Sequence, residues 1–258
     1  MKNIILTAVV IGITATSCIK DLICINGNGN VETQSRNTTS FNSAVNTTSV
    51  DIIYLKADSI SISVMAESNI INHIVTITKN DRLEIRTDPR NACFDYRHRP
   101  VVTITSPELS TMELTGSGDF SADTLSGNSV TVRLTGSGNL LANVINSDDL
   151  DITLTGSGDA DIAKATCQDA DFSLTGSGDL TIAGNGENGI MRVTGSGDIR
   201  SDGFQLMTAT ETITGSGNIN TLVQNSLKAV ISGSGNIFVR GNPDIDQTTT
   251  GSGRVIRR

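Results

Sequence analysis

The feature that most constrains this chain is a short glycine-rich motif that recurs at nearly fixed spacing. Copies of TGSG, or SGSG in one case, are separated by 20, 20, 20, 19, 20, 18 and 18 residues. They begin at Thr115, Thr135, Thr155, Thr175, Thr194, Thr214, Ser232 and Thr250. Such self-similarity indicates a scaffold of stacked, similar units. Helical repeats are excluded, since every glycine would cost a helix about 1 kcal/mol.

The residues before each motif alternate between apolar and polar side chains. Val130, Val132 and Leu134 fall on one side of an extended chain, and the next two repeats keep this pattern. A period of two indicates β-strands with one buried face. Further apolar positions after the glycines indicate another strand in each repeat. The sequence therefore predicts an all-β fold, a parallel β-helix or solenoid of coils of about 20 residues, right-handed by the general rule for parallel crossovers.

The same alternation predicts which residues of the motif point into the core and which point outward. Continued from Leu134, it directs Gly136 and Gly138 inward, where glycine permits a sharp bend and a close approach of backbones. It directs Thr135 and Ser137 outward. We expect the same structural turn glycines in every coil: Gly116, Gly118, Gly136, Gly138, Gly156, Gly158, Gly176, Gly178, Gly195, Gly197, Gly215, Gly217, Gly233 and Gly235.

An Asp or Asn follows every copy of the motif except the last. In stacked coils these residues form an outward ladder with a spacing of about 4.8 Å. Asn between Asp residues relieves like-charge repulsion, and its amide can donate a hydrogen bond along the stack. We take this ladder as a candidate binding surface: Asp119, Asn139, Asp159, Asp179, Asp198, Asn218 and Asn236. The last copy has Arg254 there, and Arg257 and Arg258 follow, which is typical of a charged guard at an open strand edge.

Residues 26–105 lack the motif, whereas residues 106–258 carry the repeats. Strands are nevertheless predicted in the first part, with a hairpin turn at Asn80 and Asp81. Their expected extents are 49–55, 59–64, 74–78 and 83–87. We expect this part to cap the solenoid or to begin it irregularly, since terminal repeats are usually atypical.

The N-terminus predicts export. Residues 1–17 contain a basic start and a short apolar run, as in a signal peptide. The small residues before Cys18 resemble a bacterial lipobox, which implies cleavage before Cys18, lipid attachment to it and a tether over residues 18–25. Ordinary secretion after cleavage near Ser17 is the alternative. The prediction is an outer-membrane-anchored lipoprotein that contacts the membrane through its lipid. Exposure to the periplasm or to the outside stays open.

Three cysteines remain if Cys18 carries lipid. An exported protein can form disulfides. The preferred pair is Cys24 with Cys93, since both precede the repeats, which leaves Cys167 as a small apolar filler. The sequence alone does not fix the pairing.

The early GNGNV at residues 27–31, the strand-rich first half with its KND hairpin and the recurrent TGSGD/N units resemble one known family. It is the putative auto-transporter adhesin head GIN domain family, and the resemblance extends over residues 26–236. The resemblance implies an exported bacterial protein, often a lipoprotein, with a right-handed parallel β-helix. It implies no established ligand and no catalytic residues.

Composition and motifs favour some classes of function over others. A net charge of −8 argues against nucleic acid as a partner. We favour a non-enzymatic cell-envelope protein that displays a repetitive polar β-helix surface for adhesion, binding or assembly. It needs no cofactor or metal, and its ligand is an unknown protein or polysaccharide. One alternative is a polysaccharide-active enzyme, although Asp159 and Asp179 obey the repeat that a catalytic cluster should break. The other alternative is a calcium-stabilised repeat, although calcium needs six to eight oxygens at one centre.

Overall fold

The computed structural model describes residues 24–90 and 92–258. The predicted signal peptide, the lipobox Cys18 and residues 19–23 of the tether lie outside the described residues. The fold is nearly all-β, with 67% strand and about 7 stacked turns. A 3₁₀ turn at Ile71–His73 is the one helical element in the described part.

The strands are short in most of the chain and two are long near its end. In the first part they are β1 (Ile25–Asn26), β2 (Val31–Arg36), β3 (Ser43–Asn46), β4 (Asp51–Lys56), β5 (Ser61–Glu67), β6 (Ile74–Lys79), β7 (Arg82–Thr87), β8 (Phe94–Asp95) and β9 (Val101–Ser106). In the repeats they are β10 (Thr111–Gly116), β11 (Phe120–Ser126), β12 (Ser129–Gly136), β13 (Leu140–Asn146), β14 (Asp149–Gly156), β15 (Ala160–Thr166), β16 (Asp169–Gly176), β17 (Leu180–Asn185), β18 (Asn188–Gly195), β19 (Ile199–Gly215), β20 (Ile219–Gly233), β21 (Ile237–Arg240), β22 (Asp244–Gly251) and β23 (Val255–Arg257).

Each coil joins two strands through the motif. β12 ends at the first glycine of a motif, and β13 begins after the Asp or Asn position. β12 pairs in parallel with β10 and β14, and β13 pairs in parallel with β11 and β15. The register places Thr135 between Thr115 and Thr155, one coil apart on either side. These pairings confirm the predicted parallel solenoid with coils of about 20 residues.

The alternating apolar side chains form the core of the solenoid. Val132, Ile152 and Phe172 lie in one column and have no exposed surface. Leu134, Leu154 and Leu174 form the column beside it. Burial of such aliphatic and aromatic side chains is the main stabilising contribution in a fold of this kind, at about 1.5–3 kcal/mol for each fully buried side chain. The predicted inward face of these strands is confirmed.

The solenoid begins before the first motif. β3 and β4 pair in parallel with β10 and β11, and β7 and β9 pair in parallel with β3 and β4. The parallel stack thus crosses residue 106, where the sequence pattern changes. The turn over residues 46–50 takes the place of the motif. There the buried Asn46 donates through Nδ2 to the Val50 carbonyl at 2.7 Å and accepts from the Thr48 amide at 3.0 Å.

Antiparallel strands close the N-terminal end. β5 pairs with β9, β2 pairs with β5, and β6 pairs with β7, all antiparallel. The β6–β7 hairpin turns at Asn80 and Asp81, whose φ values of 51° and 57° belong to the left-handed region used in tight hairpins. β2 and β6 each pair with a single strand and are the outer edges of this N-terminal cap, which we define as residues 24–106.

The two glycines of the motif differ in conformation and exposure. The first, in copies 1–7, has φ between 124° and 135°, and it is partly exposed rather than inward. The second is buried in every copy. A Cβ added to Gly156 would lie 2.1 Å from the Gly136 carbonyl oxygen, and one added to Gly158 would lie 1.9 Å from the Gly138 carbonyl oxygen. Glycine is therefore required because the backbones of neighbouring coils meet along the stack. The expectation of an inward-facing first glycine was wrong, because its backbone turns into the left-handed region before the second glycine enters the core.

One acidic residue interrupts the core. Glu211 occupies the column of Met191 and Ala229 and is completely buried. Neither of its carboxyl oxygens has a hydrogen-bond partner among the described residues, and the same holds for the nearby Thr221 hydroxyl. Burial raises the pKa of Glu211 to about 7. The residue is thus protonated through the acidic range in the folded protein.

Replacing Gly156 with alanine should destabilise the fold by about 3 kcal/mol or more, because strain at positive φ adds to the clash with Gly136. Replacing the neighbouring exposed Ser157 with alanine should change the free energy of unfolding by about 0.5 kcal/mol or less. Urea unfolding followed by circular dichroism measures both. Equal losses would show that coil-to-coil contact at the glycine is not limiting.

Glu211 should make stability fall as pH rises from about 4.5 to about 7. The unfolded chain releases the proton near 4.5, while the folded chain keeps it until about 7, so the folded state loses about 3 kcal/mol across this window. Glu211→Met, which matches its neighbour Met191, should abolish this contribution and be more stable at pH 8. Urea unfolding of both proteins at pH 4.5, 6 and 8 measures the difference. A constant difference across these pH values would contradict the assignment.

Candidate binding surface

The predicted Asp/Asn ladder lies on the outside of the solenoid, but its main contacts are structural. At every rung one side-chain Oδ1 accepts a hydrogen bond from the backbone amide of the equivalent residue in the next coil, at 2.8–3.2 Å. The ladder starts one coil earlier than predicted, at Asp51, and ends at the Arg254 amide. Asp and Asn both carry this oxygen, which explains why they alternate at one position.

The amides of the ladder also act as expected from the sequence. Asn139 Nδ2 donates to Asp119 Oδ1 at 3.0 Å, and Asn218 Nδ2 donates to Asp198 Oδ1 at 3.0 Å. Where three acids follow one another, at Asp159, Asp179 and Asp198, Arg200 lies beside the last two, 2.9 Å from Asp179 Oδ2 and 3.3 Å from Asp198 Oδ2. Like-charge repulsion along the ladder is thus reduced by donors on the protein itself.

The Thr and Ser side chains of the motif form a different surface, which we call the hydroxyl ridge. Its members are Thr115, Ser117, Thr135, Ser137, Thr155, Ser157, Thr175, Ser177, Thr194, Ser196, Thr214, Ser216, Ser232, Ser234, Thr250 and Ser252, and all of them are exposed. The Ser backbone amides are bonded to the preceding coil, as in Ser157 N to Gly136 O at 2.9 Å. Within residues 24–90 and 92–258 the ridge hydroxyls have no hydrogen-bond partner. Two hydroxyl columns therefore extend for about 34 Å with their hydrogen-bonding capacity unused.

Acidic groups cluster at outward positions of two neighbouring strands. Asp149, Asp151, Asp169 and Asp171 line an open groove of about 380 Å³ on β14 and β16. Arg192 is 2.7 Å from Asp171, and Arg133 is 3.6 Å from Asp151. Across the described ranges, no group of three or more His, Cys, Asp or Glu residues has an arrangement that could hold a metal ion.

The N-terminal cap is fastened by a disulfide and a buried carboxylate. Cys24 and Cys93 are bonded, with their Cα atoms 4.4 Å apart, while Cys167 is buried with its pKa raised to about 11 by burial. Glu67 accepts hydrogen bonds from the amides of Gly29, Arg97 and His98, and these bonds lower its pKa. The non-repeating loop at residues 95–99 is thereby fixed as part of the cap.

Polar residues close the C-terminal end. At inward positions of the last coil, Gln247 follows Ala229, Thr249 follows Ile231 and Arg257 follows Val239. The Arg257 guanidinium donates to the Pro243 carbonyl at 2.7 Å, and that of Arg258 lies 3.8 Å from the centre of the Phe238 ring. These contacts place two of the three terminal arginines over the end of the stack, where they discourage addition of another coil.

Fold and surface together define a capped parallel β-solenoid with a regular polar exterior. The chain belongs to the family described as "Putative auto-transporter adhesin, head GIN domain", whose model matches residues 40–243. Members of this family and the similar solved structures are named as adhesins or binding proteins rather than enzymes.

Several solved structures share this fold. A putative adhesin from Parabacteroides merdae is 24% identical, with a TM-score of 0.86 over 91% of this chain and 98% of that one. One from Parabacteroides distasonis is 22% identical, with a TM-score of 0.86 over 91% and 99%. A protein of P. distasonis described as a putative lipid binding protein is 27% identical, with a TM-score of 0.79 over 91% and 99%. No curated protein matches this chain. In the described part, no helix is long and apolar enough to cross a membrane.

Asp159 allows the structural role of the ladder to be tested. Asp159→Asn keeps the acceptor for the Asp179 amide and removes one of three consecutive negative charges, so stability should be unchanged or slightly higher. Asp159→Ala removes the acceptor and should cost about 1 kcal/mol. Urea unfolding of the two variants gives the comparison. If Asn and Ala are equally destabilising, the carboxylate charge matters and the shared acceptor does not.

Proposed function

We propose that this chain is a non-enzymatic cell-envelope lipoprotein, anchored in the outer membrane through a lipid on Cys18, that binds an extended polymer along the hydroxyl ridge. The observation that carries the proposal is the ridge itself. Sixteen exposed hydroxyl groups repeat in register, and the rest of the described chain does not use them. The membership of an adhesin-head family supports a binding role of this kind.

A repeating surface favours a repeating partner. One hydroxyl hydrogen bond contributes only about 0.5–1.5 kcal/mol. A polymer that places similar groups along the ridge makes many such bonds after the first contact has been formed. The ridge is held by backbone hydrogen bonds between coils, so little conformational freedom is lost on binding.

The charge of the solenoid narrows the class of polymer. Residues 107–258 contain 18 Asp and Glu but only 9 Lys and Arg, whereas the ridge side chains are neutral. An acidic polymer would be repelled by the adjacent ladder. The surface therefore suits a neutral polysaccharide, whose hydroxyl groups both donate and accept. A neutral extended peptide is the alternative partner.

Replacing the ridge hydroxyls in the central coils tests this function. The variant T135V/S137A/T155V/S157A/T175V/S177A should keep the fold and weaken binding to a neutral polysaccharide at least about ten-fold. Binding is measured on an array of neutral polysaccharides, acidic polysaccharides and matrix proteins. The matched control is S121A/T131V/T153V, which removes hydroxyls from other outward positions. Unchanged binding in the ridge variant would exclude the ridge as the site.

The cellular part of the proposal is tested in the native host. Expressed behind a signal peptide that is cleaved independently of Cys18, the variant Cys18→Ala should leave the membrane fraction. Protease added to intact cells should digest the wild type only if it faces outward. Digestion of intact cells supports adhesion to external polymers. Protection until lysis would place the partner in the periplasm and would reject the adhesin role.

A further inference from the structure

The core of the solenoid becomes polar in the coil of β19. Phe172 and Met191 are apolar, but the next member of their column is Glu211. In the other sheet of the solenoid Ser201 pairs with Thr221, and both side chains are buried. The inward side chains of β12, β14 and β16 are all apolar by comparison. Three polar side chains are thus enclosed at one level of the stack.

These enclosed polar groups are poorly satisfied. Ser201 Oγ donates to the Asn220 carbonyl at 2.8 Å. Thr221 Oγ1 and both carboxyl oxygens of Glu211 have no hydrogen-bond partner within the part of the chain that the structure describes. A buried polar group without a partner lowers the stability of the fold around it. The register between β19 and β20 also shifts twice beside this level, after Ser201 and after Leu206.

Only a short part of the solenoid covers Glu211 on its C-terminal side. We call residues 219–258, which form β20 to β23, the terminal coils. The small side chain of Ala229 is stacked on Glu211, and Gln247 and Arg257 occupy inward positions of the last coil. β22 is exposed along nearly its whole length. In a stack where each coil contacts only its neighbours, end coils of this kind can open while the others stay folded.

Opening from the N-terminal side would expose far more apolar surface. The coils before Glu211 bury the columns that contain Ile152 and Leu154. The N-terminal cap beyond them is fastened by the disulfide between Cys24 and Cys93. Water therefore reaches Glu211 with the smallest loss of buried surface when the terminal coils separate from β19.

Ionisation of Glu211 couples this opening to pH. Met191 of β18 and Ala229 of β20, which are stacked on either side of it, are neutral, and no charged group contributes to its pKa. Burial raises this pKa from 4.5 to about 7. The open form releases the proton near 4.5, whereas the closed form keeps it until about 7. The opening equilibrium should therefore rise about ten-fold per pH unit between these values and level off above them.

We propose that the terminal coils are a pH-sensitive unit that separates from β19 at Glu211 while the preceding coils and the N-terminal cap stay folded. In the closed form the neutral carboxyl group is held in the core, and in the open form the carboxylate is solvated. The terminal coils carry two of the eight Thr and Ser pairs of the hydroxyl ridge, at residues 232–234 and 250–252. Opening therefore shortens the ridge from its C-terminal end.

Hydrogen exchange followed by mass spectrometry locates the opening. The mature chain with Cys18→Ala, exported behind a signal peptide that is cleaved independently of Cys18, is labelled at pH 5, 6, 7 and 8. Each rate is divided by the intrinsic exchange rate of that amide at the same pH. Amides of β20 and β22 should lose protection about ten-fold per unit from pH 5 to pH 7 and change little above it. Amides of β12, β14 and β16 should keep their protection.

Two variants and a control assign the effect to Glu211. Glu211→Gln keeps the size of the side chain and removes its charge, so the protection of β20 and β22 should no longer depend on pH. Glu211→Met, which continues the apolar column of Met191, should behave in the same way. The matched control Glu187→Gln changes an exposed acid of the preceding coil and should follow the parent.

Three results would overturn the proposal. The first is a protection of β20 and β22 in the parent that stays constant across these pH values. The second is an equal loss in β12, β14 and β16, which would show that the whole solenoid opens at once. The third is a pH dependence in Glu211→Gln and Glu211→Met that matches the parent.

Discussion

The structure depends on the close approach of neighbouring coils at the motif. The Gly136 carbonyl oxygen accepts a hydrogen bond from the Ser157 amide at 2.9 Å. The same oxygen leaves no room for a Cβ atom on Gly156. Any other residue at this position would force the coils apart or bend the chain out of register. The parallel pairing on both sides of the motif requires one constant rise per coil of about 4.8 Å. One steric condition, repeated in each coil, therefore fixes the stacking of the core and of the exterior.

That condition divides the motif into parts with separate roles. The glycines permit the contact between coils, and the Asp or Asn that follows fastens one coil to the next through Oδ1. The Thr and Ser side chains take no part in either task and stay exposed. A side chain that the fold does not need, yet that recurs in every copy, is the strongest indication of a binding surface in this molecule.

Much of the fold could be predicted because the repeat is local in sequence. Alternation identified Val132 and Leu134 as core, and the period identified the coils. Before residue 106 the sequence predicted a cap or an irregular beginning of the solenoid without deciding between them, because Asn46 and Thr48 build the turn of the coil formed by β3 and β4 with side-chain hydrogen bonds and without glycine. The sequence predicted the ladder as a row of outward residues. It did not predict that their side-chain oxygens accept hydrogen bonds from backbone amides of the next coil. Hydrogen bonds between residues 20 positions apart appear only when the coils are stacked.

The sequence by itself determined the solenoid class, the coil length and the outward position of the Thr, Ser and Asp/Asn columns. These follow from periodicity, which the chain displays without any long-range information. Only the tertiary structure decided which outward groups are already bonded, that Glu211 is buried with no hydrogen-bond partner among the described residues, and that antiparallel strands close the N-terminal end. These properties arise from contacts between residues that are distant in sequence. The physical reason is that the stacking of coils determines which residues surround a group, and these neighbours decide whether the group is buried and whether it is hydrogen-bonded.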